Sequence, residues 1–371
     1  MRVLHIITSL GLGGAENVLL RLLQRTTATS EVIVLQRPDI VADAIRASGV
    51  AVHSLGLRSK LTTPLGVSRL MRWSRRFRPD VVQTWLYAAD LCGGPVRLAT
   101  GAPIIWNVRS TTNDLPFGTR AVMRLAAATS RMIPTRIVCG SRAAAAFHSR
   151  AGYPTEKLEV IPNGFDLDRF RPRPDTTQAL RSEWGVPPNA VVVGLVGRFD
   201  PLKDHHNFVR AAERITNANA NVHFVLCGDG ITAGNDVLMS WITEGGIAAR
   251  THLLGRRLDV EQITAALDIA CLSSASEGFP NVVGEAMACA VPCVVTDVGD
   301  AAEIVGNTGV VVPPHDPEAL AAGCLRLIEI GADARRELGS RARTRIEEHY
   351  SLDVMVNRYD ALYERVGSAR L

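Results

Sequence analysis

The sequence predicts an α/β protein made of two Rossmann-like domains, each a parallel sheet covered by helices on both faces. Three observations carry this. Short apolar runs alternate with stretches of helical period along the whole chain. The alternation starts afresh after a turn- and proline-rich stretch near residues 160–175. At 371 residues the chain also exceeds what one core usually fills. The expected divisions are 1–165, 166–349 and a terminal helix within 350–371.

In order, residues 3–8 are an apolar strand, followed by the glycine-rich turn Ser9-Leu-Gly-Leu-Gly-Gly-Ala-Glu16 and an amphipathic run over 17–23. A dinucleotide fingerprint would place glycine where Glu16 stands, which argues against a dehydrogenase. Gly13 and Gly14 instead let the loop come close to a bound group. Further strands are expected at 31–35, 50–54, 81–84, 104–108 and 136–139, separated by helical patterns such as 64–77 and 118–132. Alternation of this kind gives parallel pairing. Pro162, Asn163 and Gly164 close the first domain. The second alternation has strands at 191–196, 222–227, 251–254, 269–272, 293–296 and 309–312, and the tail 350–366 is an amphipathic helix near a Ser-Leu-Asp cap.

Composition excludes several classes. The start reads without a secretory leader and no apolar run reaches 18 residues, so a cytoplasmic protein without a spanning helix is expected. Seven cysteines, mostly inside apolar segments and without Cys-x-x-Cys or paired histidines, predict buried free thiols and no metal site. The net charge of +4 hides an asymmetry: residues 1–165 carry 21 Lys+Arg against 9 Asp+Glu, or +12, and the remainder 20 against 28, or −8. The positive charge concentrates in 69–78 and 120–136, where arginines interleave with large apolar residues. Without a nucleic-acid module, that pattern fits either a solvated helix face or contact with an anionic membrane surface through Leu70, Trp73 and Phe77.

Chemistry concentrates in residues 273–297. A strand is followed by a polar loop, a helix-capable stretch over 281–290 and another strand. Gly278 and Pro280 before the helix predict an end whose N–H groups receive an anion, with Phe279 and Asn281 in the same turn. Glu277 lies in the loop and Glu285 about one turn inside the helix, where Gly284 is expected to leave room for a bound group. Two carboxylates beside an anion site suit a ligand that carries both a phosphate and a vicinal diol. Gly197-Arg-Phe-Asp-Pro-Leu-Lys-Asp204 places Arg198 and Lys203 at a strand's carboxyl end, where cations suit a diphosphate. Cys227-Gly-Asp-Gly230 and Leu254-Gly-Arg256 are further strand-end turns, whose Gly228 and Gly255 serve either a tight bend or a ligand.

The Glu-x7-Glu spacing with Gly-Phe-Pro and Glu-Ala-Met-Ala, the Gly-Arg-x4-Lys-Asp segment, Gly-Gly-Ala-Glu16 and Pro-Asn-Gly-Phe-Asp166 together closely resemble the signature of the retaining glycosyltransferases of family 4. The resemblance implies a GT-B arrangement, with two domains facing across a cleft and the last helix crossing back to the first. It implies a nucleotide diphosphate sugar as donor, UDP-sugar before GDP-mannose, and a glycan, lipid-linked or small-molecule hydroxyl as acceptor. No metal or cofactor is expected. By the same resemblance Arg198, Lys203 and Glu277 act in the chemical step. Gly13, Gly14, Gly228, Gly255, Gly278, Phe279, Pro280, Asn281 and Glu285 surround the donor, with Glu285 on the ribose diol. The histidine that many members carry after the strand at 104–108 is missing here. Asn107 or Arg109, with Glu16, are the candidates for the acceptor or sugar side. A nucleotide-sugar epimerase and a non-catalytic nucleotide-sugar-binding subunit are the alternatives.

Overall fold

The computed structural model describes residues 1–11, 13–57, 64–111, 116–219 and 221–368. The chain divides into two compact units, Met1–Gly164 with Leu352–Leu371, and Phe165–Ser351.

The first unit holds seven strands, β1 (Arg2–Ile7), β2 (Thr29–Val34), β3 (Ala51–Ser54), β4 (Val81–Trp85), β5 (Ile104–Val108), β6 (Arg136–Cys139) and β7 (Leu158–Val160). They pair in the order β3-β2-β1-β4-β5-β6-β7, all parallel. Because side chains alternate along a strand, the sheet buries two different sets of residues. Val3, Ile7, Val34, Trp85 and Ile105 pack on one face with the Gly14–Leu23 and Leu352–Ser368 helices. Leu4, Ile6, Ile33, Val82 and Trp106 pack on the other with Pro64–Phe77, Tyr87–Thr100, Phe117–Thr129 and Arg142–Arg150. The terminal helix is part of this core. Tyr359 and Tyr363 are fully buried, Asn107 Nδ2 donates to Tyr359 Oη at 2.8 Å, and the Tyr363 hydroxyl donates to Gln83.

The second unit holds β8 (Val191–Val196), β9 (Val222–Cys227), β10 (Thr251–Leu253), β11 (Ile269–Leu272), β12 (Cys293–Thr296) and β13 (Val310–Val312). Their order is β10-β9-β8-β11-β12-β13, again all parallel. The helices His205–Ala218, Asp236–Glu244 and Pro317–Glu329 cover one face, and Pro174–Glu183, Asn281–Ala288 and Gly331–Tyr350 the other. All seven cysteines are buried and free.

Several boundaries differ from expectation. The helix expected over 281–290 stops at Ala288, because Ala290 adopts a positive φ of 59° on the way into β12. The tail helix begins at Leu352 and not at 350: Tyr350 ends the 20-residue helix Gly331–Tyr350, and Ser351 is extended, bridged to Phe165. Tyr87–Thr100 was masked in the sequence by Gly93, Gly94 and Pro95. Gly93 is needed there because a Cβ would lie 2.9 Å from the Ile104 side chain.

Candidate functional site

In both sheets the strand order reverses once, between β1 and β4 and between β8 and β11. Connections on either side of such a point leave in opposite directions, so a crevice opens beyond the strands' carboxyl ends. The candidate residues gather at these two places.

In the second unit, the loop after β8 meets the loop after β11. Asp200 caps the short turn Pro201–Lys203 by accepting from Leu202 N–H at 2.9 Å, and that turn aims Lys203 at the neighbouring loop. Lys203 Nζ reaches Glu277 Oε1 at 2.6 Å, with the two side chains 23% and 12% exposed. Ser274 Oγ donates to the same carboxylate oxygen at 2.7 Å, and Ser273 Oγ donates to Lys203 O at 2.8 Å. Arg198 does not join this pair. It is 64% exposed and bonds Asp200 at 2.8 Å; the Leu202 N–H first, and then Arg198, hold the Asp200 carboxyl below its ordinary range.

The loop leading into Asn281–Ala288 is fixed from below. A side chain on Gly299, which has φ 57°, would meet Glu277 O and Gly278 O at 2.6 Å, and Asp300 N–H donates to Gly278 O at 3.0 Å. Phe279 turns inward and stacks on Phe165, with centroids 6.0 Å apart. Pro280 is the residue just before the helix, so Asn281 opens it, and Glu285 stands half-buried in its second turn. The expectation for Gly284 is corrected: its missing side chain makes room for the Phe165 ring, which a Cβ would meet at 2.1 Å, and not for a bound group. Gly228 is likewise demanded by the protein itself, since a Cβ would lie 2.0 Å from Gly197 O. Gly255, at φ 63°, holds the next strand end by donating to Ile231 O at 2.8 Å and accepting from Gly228 N–H at 2.9 Å.

In the first unit, a cavity of about 310 Å³ opens at the β1/β4 reversal, lined among others by Thr8, Ser9, Leu86, Tyr87, Arg109 and Ser110. Gly13 precedes the Gly14–Leu23 helix, and a Cβ there would strike the Glu16 carboxylate at 2.2 Å. Gly13 thus makes space for Glu16, while Gly14 has open space around it. Glu16 is buried in the first helical turn, where the helix dipole favours its charge, and it accepts from Ser9 Oγ at 3.2 Å. It meets the cavity through Ser9.

Asn107 does not line the cavity, which corrects its placement on the acceptor side. It is fully buried, with its amide donating to Tyr359 and its Oδ1 accepting from Arg109 Nε at 2.9 Å. Arg109 does line the cavity, braced by Asn107, Asn163, Tyr359 Oη at 3.0 Å and the Trp85 ring at 5.7 Å. Leu86 and Tyr87 were not among the residues expected at a site. Leu86 adopts φ 72°, a strained value for leucine, as the chain turns from β4 into the next helix. Tyr87 Oη lies 2.9 Å from His148 Nε2. His148 Nδ1 lies 2.8 Å from Ala144 O, which fixes the proton on Nδ1 and leaves Nε2 to accept from Tyr87. Burial lowers the His148 pKa to about 4, so the ring is neutral. A strand-end aromatic at a topological reversal was the available signal.

The first basic stretch is helical to Phe77, whereas the second leaves its helix at Thr129, so Arg131 stands in a turn and Arg136 opens β6, and their apolar residues divide. Leu70 and Phe77, expected at a membrane surface, are buried in the first unit's core, and Trp73 leans on His53 at 5.1 Å. Among the described residues, Leu65, Leu98, Phe117, Leu125 and Met132 are large apolar side chains left exposed on the same side of the sheet. Among the described residues no helix is long and apolar enough to cross a membrane.

Residues 12–169 match the family described as Glycosyltransferase Family 4, and residues 190–329 match that described as Glycosyl transferases group 1. The chain is 35% identical over 210 residues to D-inositol 3-phosphate glycosyltransferase of Mycobacterium marinum, covering 56% of this chain and 44% of that one. It is 35% identical over 144 residues to the UDP-Gal:alpha-D-GlcNAc-diphosphoundecaprenol alpha-1,3-galactosyltransferase of Escherichia coli, covering 38% and 37%. The matched regions thus span less than half of either relative. The crystal structure of Anabaena HepE in complex with UDP superposes with a TM-score of 0.87 at 22% identity over 98% of this chain and 100% of that one, a likeness of fold. Both units match glycosyltransferase families in chain order, each on the unit whose strand reversal gathers the residues described above, and the chain therefore belongs to the group 1, family 4 glycosyltransferases of GT-B fold.

Proposed function

We propose that this glycosyltransferase moves a hexosyl or N-acetylhexosaminyl group from a UDP-sugar to a hydroxyl of a glycan, lipid-linked or small-molecule acceptor, with retention at the anomeric carbon. The observation that carries this is the Lys203–Glu277 contact at the β8/β11 reversal. A lysine and a carboxylate held 2.6 Å apart at a helix start are poised to exchange partners, the cation to a diphosphate and the carboxylate to sugar hydroxyls. Release of the diphosphate builds negative charge on its oxygens. Lys203, Arg198 and the N–H groups at the Asn281–Ala288 helix start stabilise that charge, and charge stabilisation that grows toward the transition state is what accelerates a reaction. Glu285 receives the ribose diol. Same-face attack, with the departing phosphate oxygen accepting the acceptor's proton, gives retention without a protein nucleophile and without a metal.

The choice of UDP draws support from the UDP in the Anabaena complex and the UDP-Gal of the Escherichia coli relative, and a lipid-linked acceptor from that relative's diphosphoundecaprenol. The arginine-rich helices of the first unit fit peripheral contact with an anionic membrane during polysaccharide or glycoconjugate synthesis. A thermal-shift screen with UDP, GDP, ADP and TDP tests the donor: a ligand at 100 times its Kd stabilises by about 2.7 kcal/mol. UDP is expected to give the largest shift, reduced in Glu285→Ala. Proton NMR of the product's anomeric signal tests retention. A sugar epimerised without acceptor would overturn the transferase assignment, and an inverted linkage the mechanism.

A further inference from the structure

The second unit has another cavity, and it lies at the wrong end of the sheet for the donor. It measures about 710 Å³ and is walled by one face of the Pro174–Glu183 helix, by Leu267 just before β11 and by Val291 just before β12. The donor-side residues Ser273, Ser274 and Glu277 follow β11, so that strand's four residues, about 13 Å at 3.3 Å each, separate the two places. The volume is within the range of about 300–1,000 Å³ usual for small-molecule sites.

The lining has two chemistries. Pro174, Leu267 and Val291 form an apolar floor, while Arg173, Arg181 and Arg336 supply positive charge. Two of these cations have carboxylate partners, Arg181 with Asp268 at 2.9 Å and Arg336 with Asp333. Arg173 has none among the described residues. Its Nη2 donates to Arg169 O at 3.0 Å, and its Nε is buried without any acceptor. A guanidinium that lines a cavity with an apolar floor and has no carboxylate beside it is free to pair with an arriving anion through charge-assisted hydrogen bonds. We propose that this cavity is a second small-molecule site, taking an amphiphilic anion whose acidic group bonds Arg173 and whose apolar body lies on Pro174, Leu267 and Val291.

The test uses the full chain with saturating UDP and, as probe, anilinonaphthalene sulfonate, which joins one sulfonate to an apolar body and fluoresces when bound. The expected result is saturable one-site binding that UDP leaves unchanged, at least tenfold weaker in Arg173→Gln and several-fold weaker in Arg336→Glu. The Arg336 side chain is 72% exposed, so that variant keeps its fold, and thermal melts check both. The uncharged N-phenylnaphthylamine should bind at least tenfold more weakly than the sulfonate. Displacement of the probe by UDP, equal affinity in both variants, or equal binding of the uncharged compound would overturn the proposal.

Discussion

Single substitutions separate the residues proposed to meet the donor from those that hold them in place. Lys203→Ala removes the cation from the β8/β11 reversal and leaves Glu277 with Ser274, so turnover is expected to fall by about 10²–10³, as for loss of an oxyanion donor. Steady-state kinetics at saturating donor decide the cause: a rate fully restored by more donor would mean that Lys203 contributes uniform binding only. His148 gives a pH prediction. Its folded pKa, about 4, lies below the unfolded value of 6.5, so the unfolded chain binds the extra proton first. The stability it contributes is present above pH 6.5 and is lost as pH falls toward 4, which amounts to about 2 kcal/mol by pH 5. Urea titrations at pH 7.5 and 5 should show that part of the acid sensitivity missing in His148→Gln. An unchanged difference would place the acid sensitivity elsewhere.

At the scale of elements, much was legible because the physical signals are local. Apolar runs marked β1, β4, β5, β8, β9, β11 and β12 to within a residue or two, and the Gly-Phe-Pro turn marked the start of the Asn281–Ala288 helix. What was illegible depends on contacts distant in sequence. Gly284 looked like an opening for a ligand until the structure put Phe165 against it, and Asn107 looked like a site residue until Tyr359, 252 positions later, took its amide. Leu70 and Phe77 show the same limit within one helix, since a stripe that packs on the sheet and one that packs on lipid share a periodicity. The membrane reading of this helix therefore rests on its arginines. Arg72, Arg75 and Arg76 are exposed along it and Arg78 just beyond it, each worth about 1 kcal/mol near an anionic surface. Cosedimentation with anionic liposomes is expected at low salt, with release as salt rises and loss when all four become glutamate. Equal, negligible sedimentation with anionic and neutral liposomes would end this reading.

At the scale of the whole molecule, the two units differ in how they are assembled from the chain. The second is continuous, Phe165–Ser351, whereas the first closes only with Leu352–Leu371. A fragment of residues 165–351 is therefore expected to fold alone and keep a UDP-induced thermal shift, while 1–164 alone should lack a cooperative melt. Calorimetry of both fragments checks this, and a cooperative 1–164 would show the terminal helix to be dispensable. Burying one large apolar side chain is worth about 1.5–3 kcal/mol, and Leu352, Met355, Val356, Tyr359, Leu362, Tyr363 and Val366 are all buried in the first unit's core. The order of synthesis gives this arrangement a price. Residues 1–164 leave the ribosome first, yet about 200 more must be made before their closing helix exists, roughly 10–40 s at 5–20 residues per second. For that interval Ile7, Trp85 and Ile105 lack their cover, and the second unit, though made later, has its whole sequence before the first unit has its last helix. Ribosome-bound chains in which residues 352–371 are replaced by an unstructured linker long enough to clear the exit tunnel should accordingly resist protease over 165–351 and remain cleavable over 1–164.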